Sequence, residues 1–241
     1  MTFTYAGRTD IGKRRLENED AFVIDPGMGL LAVADGRGGA ASGEVASALF
    51  IETVKKVFCS LAERDRSVQM CIEEAFAAAN AHVIREAVNN ERHRGMGCTA
   101  ELWVNHGATY FVGHIGDSRT YLYRGGELRQ LTKDHSMVQD EVDRGLITPE
   151  QAKSHPLRNI ITRAIGVSVS LAVDIVHDVI QANDTFLLCS DGLTDMVSDR
   201  EIARILAKTR VLDKAAARLI DAANSAGGRD NITVVLCGAH G

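Results

Sequence analysis

The feature that most constrains this chain's fold is the order of its apolar segments. Short strand-like runs come in groups and helix-like stripes in pairs, without regular alternation of the two. The runs at 30–34, 109–112, 121–123, 185–189 and 232–237 are apolar and partly β-branched or aromatic, and read as strands. Phe50, Val54, Val57, Phe58 and Leu61 keep the period of a helix that begins near Gly43 or Glu44. A second helix is predicted over 67–88. Its apolar stripe is Val68, Ile72, Ala75, Phe76, Ala79 and Val83, with Glu73, Glu74, Asn80 and Arg85 as polar residues between. Leu212, Ala215, Ala216, Leu219 and Ala223 mark a third. Arg124-Gly125-Gly126-Glu127 reads as a hairpin turn. Strict alternation would indicate a doubly wound parallel sheet; this grouping predicts an α+β fold of sheets packed together with helices outside. The stretch 142–165, with Gly145, Pro149, Pro156 and weak periodicity, reads as an irregular segment over a site.

With 241 residues, three prolines and no low-complexity tract, the chain offers no linker at which to divide it, and one domain over 1–241 is expected. Its 45% hydrophobic and 24% charged residues are ordinary for a globular protein. A formal net charge of −5 leaves no basic footprint for nucleic acid. Cys59, Cys71, Cys98, Cys189 and Cys237 are odd in number, widely spaced and set in apolar surroundings, and read as reduced core residues. No stretch reaches the roughly 18–20 apolar residues of a membrane span, and the first five residues lack the character of a signal peptide. A cytoplasmic location without membrane attachment is therefore expected.

Four acidic residues lie at strand ends. Asp35 follows the run 30–34 and precedes Gly36, Asp117 follows 111–116, Asp191 follows 186–190 and precedes Gly192, and Asp230 stands just before 232–236. Taken singly, each reads better as a turn or cap residue. If all four converge, six pairwise repulsions of about 3 kcal/mol each, at ~5 Å and an effective dielectric of ~20, total ~20 kcal/mol. That exceeds the ~5–15 kcal/mol by which a domain is stable. Convergence would thus require protons or cations, and ligands that are all oxygen favour Mg²⁺ or Mn²⁺ over Zn²⁺.

An ordered set of motifs spans nearly the whole chain. It runs through Asp10-Ile11-Gly12, Arg15, Asn18-Glu19-Asp20, Asp35-Gly36 with Gly38-Gly39, Gly43-Glu44-Val45-Ala46-Ser47, Gly97, Thr99, Gly116-Asp117-Ser118-Arg119 and Leu131-Thr132-Lys133-Asp134-His135-Ser136. It ends with His155-Pro156, Asn159, Thr162-Arg163-Ala164-Ile165-Gly166, Ser190-Asp191-Gly192-Leu193 and Asp230-Asn231-Ile232-Thr233. The set resembles the PPM family, the protein phosphatase 2C-like metallophosphatases, in its short bacterial form. The resemblance implies a four-layer α-β-β-α fold, a central antiparallel β-sandwich flanked by helices, with a flap over about 142–165 near the metal site.

The resemblance also implies a metal-dependent protein serine/threonine phosphatase acting by direct attack of water on the phosphoester, without a phosphoenzyme. Asp35 would bridge two core Mn²⁺ or Mg²⁺ ions, with the Gly36 carbonyl on one of them, and Asp191 and Asp230 would complete the set. Asp117 with Asp191 matches a third, weaker metal position. Glu19 and Asp20 match residues that hold metal-bound waters, and Arg15 matches the phosphate-gripping arginine. The implied partners are proteins phosphorylated on Ser or Thr and a cognate bacterial kinase, met by a monomer.

The chain departs from the family pattern at Arg37, where Met or His often follows Asp-Gly, and at Ala40, where His is common. Arg37 reads as an added cation near the site that helps bind phosphate, or else as a side chain lying along the surface. His135 and His114 read as structural residues, and Cys98 and Cys189 as core residues with no basic partner to make them nucleophiles. Two rival readings stand beside the phosphatase: a catalytically weak regulatory or interaction module on the same fold, and a metal-dependent phosphodiesterase, which the lack of a basic stripe disfavours.

Overall fold

The computed structural model describes residues 1–38, 42–61 and 66–241. Gly39, Ala40 and the side chain of Leu61, which enter the reading above, lie outside that description. The elements in chain order are β1 (Thr2–Asp10), β2 (Asp20–Asp25), β3 (Leu30–Arg37), α1 (Gly43–Leu61) and α2 (Val68–Asn89). There follow β4 (Gly97–Cys98), β5 (Ala100–His106), β6 (Thr109–Ile115), β7 (Arg119–Arg124), β8 (Glu127–Gln130), α3 (Met137–Asp143) and α4 (Pro149–Lys153). The chain continues with β9 (Asp174–Val179), β10 (Thr185–Cys189), α5 (Asp191–Thr194), α6 (Asp199–Lys208), α7 (Leu212–Ser225) and β11 (Ile232–His240).

These form two sheets, ordered β1-β11-β10-β7-β8 and β2-β3-β5-β6-β9, with β4 paired to β3. All pairings among these strands are antiparallel. The fold is α+β, with four layers as expected. Period-2 alternation along β3 builds it: Leu30, Ala32 and Ala34 face Phe50, Val54, Ile72 and Phe76 of α1 and α2. Leu31 and Val33, beside Trp103 of β5, face the second sheet at Phe186, Leu188 and Val235. On the far side, Leu187, Val234 and Leu236 meet Ile202, Leu206, Leu219 and Ala223 of α6 and α7. Strands buried on both faces are apolar at every position, which is why 30–34 and 185–189 read as unbroken runs.

Gly125 and Gly126 form the loop of the β7–β8 hairpin, closed by the Arg124–Glu127 pair. Ser67 caps α2 through its side chain. Two readings are corrected. Asn80 is buried, because its amide accepts from Gly166 N at 2.8 Å and donates to the Ser168 carbonyl at 2.8 Å. Cys59 is exposed near the end of α1, whereas the other four cysteines are buried. The stretch read as irregular contains α4, where Pro149 stands in the first turn and Thr148 and Gln151 form a reciprocal capping box.

Candidate metal and phosphate site

Antiparallel pairing puts the C-terminal end of β10 beside the N-terminal start of β11, so Asp191 and Asp230 emerge at one edge of their sheet. In the other sheet β3 and β6 both pair with β5 and run in the same direction, which brings Asp35, two residues before the end of β3, and Asp117, two residues past β6, to one edge. Thr99 stitches these two ends together: its Oγ1 accepts from Asp35 N at 2.9 Å and bonds to Ser118 Oγ at 2.7 Å. Asp20, opposite Asp35 across β2–β3, ties the sheets to each other. Its Oδ2 accepts from Ser190 Oγ at 2.7 Å and Thr233 Oγ1 at 2.6 Å.

Asn231 secures the loop that carries Arg15. Its side chain donates to the carbonyls of Ile11 and Glu17 at 3.0 and 2.9 Å and accepts from Glu19 N at 2.8 Å. Gly36 is required by close approach: a Cβ there would lie 2.1 Å from the Gly43 carbonyl oxygen and 2.6 Å from that of Glu19. The same holds for Gly192, where a Cβ would lie 1.9 Å from the Asn231 carbonyl oxygen. The glycine reading at 36, as room for a carbonyl to reach a cation, thus gains a packing reason of its own.

The carboxylates raise one another's proton affinity. Burial, then the charges of Asp191 and Asp20, hold the Asp35 carboxyl well above the usual range, with Arg37 pulling the other way. Burial and Asp117 do the same to Asp191, again opposed by Arg37. Burial raises Asp117 against Arg37's opposing pull. Burial raises Asp20 to about 6 despite the bonds from Thr233 and Ser190. Glu19 is raised by burial, opposed by Arg15 and aided by Glu44.

Two arginines stand among these acids. Arg15 Nη2 donates to Asp230 Oδ2 at 2.7 Å. Arg37 Nη2 donates to Asp117 Oδ2 at 3.0 Å and to Asp191 Oδ2 at 3.1 Å, while its Nη1 donates to the Asn159 carbonyl at 3.1 Å. Arg37 therefore does not lie along the surface. Among the described residues, no three His, Cys, Asp or Glu side chains are already closed on one point as a metal cage. The donor set nonetheless suits a hard divalent cation: it is all oxygen, its acids are mutually destabilised as anions, and Asp117 Oδ1 is buried without a hydrogen-bond partner. A cleft of about 670 Å³ opens beside it, lined among others by Asp117, Asp191, Asp195, Arg158 and Asn159.

The protein phosphatase 2C family pattern matches residues 25–232. The chain belongs to the protein phosphatase 2C family. It is 41% identical over 237 residues to the serine/threonine protein phosphatase PstP of Mycobacterium tuberculosis, covering 98% of this chain and 45% of that protein. It thus spans less than half the length of that relative. The serine/threonine phosphatase stp of Listeria monocytogenes is 37% identical over 236 residues, covering 95% of this chain and 93% of its own. The catalytic domain of PstP, solved in complex with two manganese ions, superposes with a TM-score of 0.87 at 37% identity, with 99% of each chain covered.

Within this protein phosphatase 2C fold, several motif residues serve as scaffold. Arg119 makes a two-pronged bond to Asp134 at 2.8 and 2.7 Å. Arg163 donates to Asp174 at 3.0 Å. His114 is fully buried against Glu101 and the Lys133 carbonyl, and His135 Nδ1 accepts from Gly116 N at 3.1 Å. Cys98 and Cys189 are buried, and burial pushes both thiols up, which suits core residues. The sequence reading gave no role to Ser190, Thr233, Asn231 or the Asn159 carbonyl. Each of those side chains stands within three residues of a carboxylate already singled out, which is the signal that could have found it.

Proposed function

We propose that this chain is a metal-dependent protein serine/threonine phosphatase, one catalytic domain over 1–241 with a flap at about 142–165. The observation that carries the reading is the gathering of Asp35, Asp117, Asp191 and Asp230 at one sandwich edge beside Arg15, in a chain of the protein phosphatase 2C family. Asp35, Asp191 and Asp230, with the Gly36 carbonyl, would hold Mn²⁺ or Mg²⁺. When bound, such ions supply a water nucleophile at neutral pH and offset the charge of the phosphate.

The chain's own residues do the rest by position. Asp20, held by two hydroxyls, and Glu19, held by Asn231 through its backbone, present acceptors for water at the rim. Arg15 is half-exposed and, among the described residues, pairs only with Asp230, so it can turn its fork to phosphate oxygens. Cys98 and Cys189 are buried with their thiols pushed up and take no part, and the phosphoester is cleaved by water directly. The cleft beside Asp117 and Asp191 receives the residues flanking the phosphorylated side chain. The partners are phosphoproteins and the Ser/Thr kinase whose work is reversed, met by a cytoplasmic monomer in a signalling role; none of the described helices is long and apolar enough to cross a membrane.

The test is Mn²⁺-dependent release of phosphate from a phosphothreonine peptide, and of p-nitrophenol from its monoester against its bis-ester, with EDTA as control. Turnover of the peptide and monoester that EDTA abolishes is expected. Asp35→Asn should fold yet lose more than the ~10–100-fold typical of changes around a metal's ligands. Preference for the bis-ester would make the chain a phosphodiesterase, and inactivity throughout would make it an interaction module.

A further inference from the structure

The least expected side chain in the site is Arg37, which places one guanidinium nitrogen against two buried carboxylates. Asp117 and Asp191 keep only 8% and 12% of their side-chain surface exposed, and Arg37 keeps 32%. Oxygens 3.0 and 3.1 Å from a single nitrogen converge on one point. A divalent ion shared by the same two oxygens, with ligands at roughly 2.0–2.1 Å, would crowd the guanidinium that already bonds both and meet its positive charge at close range. Ion and guanidinium therefore compete for the pair.

The arginine is also anchored at its other end. Nη1 donates to the Asn159 carbonyl, so three contacts fix the planar fork and offset the entropy of holding a long side chain still. The remaining oxygen, Asp117 Oδ1, is buried and has no hydrogen-bond partner. Among the described residues Arg37 is the one cation paired with this buried anion, so the contact is no surface ion pair. Of the core ligands Asp191 alone is bonded by Arg37, through Oδ2; Asp35, Asp230 and the Gly36 carbonyl make no bond with it.

We propose that Arg37 is a tethered cation that fills the Asp117–Asp191 position, so that this chain binds its core metal ions and excludes a further divalent ion from that pair. The proposal rests on the metal-dependent reading above. It replaces the third metal position that the family resemblance implies with a covalently attached charge, and it gives Arg37 a positioning role that also ties the Asn159 segment to the carboxylates.

The test counts bound metal in the full chain. Wild type, Asp117→Asn, Arg37→Met and the double variant are dialysed to equilibrium against MnCl₂ up to the millimolar range. Bound Mn²⁺ is measured by mass spectrometry, free Mn²⁺ by electron paramagnetic resonance, and folding by circular dichroism. Wild type and Asp117→Asn should bind the same number of ions. Arg37→Met should gain one weaker ion per chain, and the double variant should lose it again.

A wild-type count that falls in Asp117→Asn overturns the proposal. So does an Arg37→Met protein that is folded, keeps the core ions and gains none. The comparison of wild type with Asp117→Asn leaves Arg37 untouched, so it decides the matter even where Arg37→Met folds poorly. If wild type binds no Mn²⁺ at all, the metal-dependent reading itself fails and this proposal falls with it. Core ions without the gain in Arg37→Met sink the proposal alone.

Discussion

Asp20 shows what a single carboxyl gives up in this site. It sits between the Ser190 and Thr233 hydroxyls, which favour its charged form, yet burial outweighs them and raises it from 3.8 to about 6. Between those two values the folded, metal-free protein binds more protons than the unfolded chain, so stability falls as pH rises. The loss spans about pH 4 to 6 and is on the order of 2–3 kcal/mol for this group. Asp20→Asn keeps an acceptor for both hydroxyls and cannot ionise. Its metal-free melting temperature should vary less with pH over that window than wild type's, and an unchanged pH slope would count against the role given to Asp20. Residue identity was legible here because Asn18-Glu19-Asp20 is a motif. The hydroxyls that hold Asp20 were not, because Ser190 and Thr233 lie more than a hundred residues away and, though each stands near another motif carboxylate, nothing local ties them to Asp20.

At the scale of elements, legibility followed burial. Strands β3, β10 and β11, buried on both faces, announce themselves as unbroken apolar runs. Strands β2 and β9 are only partly buried and mix charged with apolar residues, so their pairing with stronger neighbours makes them strands where their own pattern does not. Helix α6 carries just three buried apolar residues, Ile202, Ile205 and Leu206.

Asn80 shows a different limit. On a helix otherwise read by its apolar stripe it looks like a polar-face residue, but the chain after the flap returns to α2 and its backbone takes the amide at Gly166 and Ser168. Asn80→Ala takes their partner from the part-buried Gly166 N–H and from the Ser168 carbonyl, which costs about 1–3 kcal/mol. Thermal unfolding should show that loss, and amide exchange at Gly166 should quicken. An unaltered melting temperature would mean that this bond does not hold the segment.

For the whole molecule, the two sheets can be stacked by apolar burial alone, and nothing in that packing calls for acids at the shared edge. The acids bring a cost that grows with every pair, opposed in the metal-free protein by Arg15 and Arg37 and by partial protonation. The sandwich was legible from segment order. The gathering of its strand ends was not, because one sequence shows which strands exist and leaves open which ends meet; the family resemblance supplied that step. The most direct check is diffraction from crystals grown with MnCl₂, with data collected at the manganese absorption edge. Anomalous peaks should fall between Asp35, Asp191 and Asp230, with none between Asp117 and Asp191 while Arg37 is in place. An edge with no peak among Asp35, Asp191 and Asp230 would contradict the account.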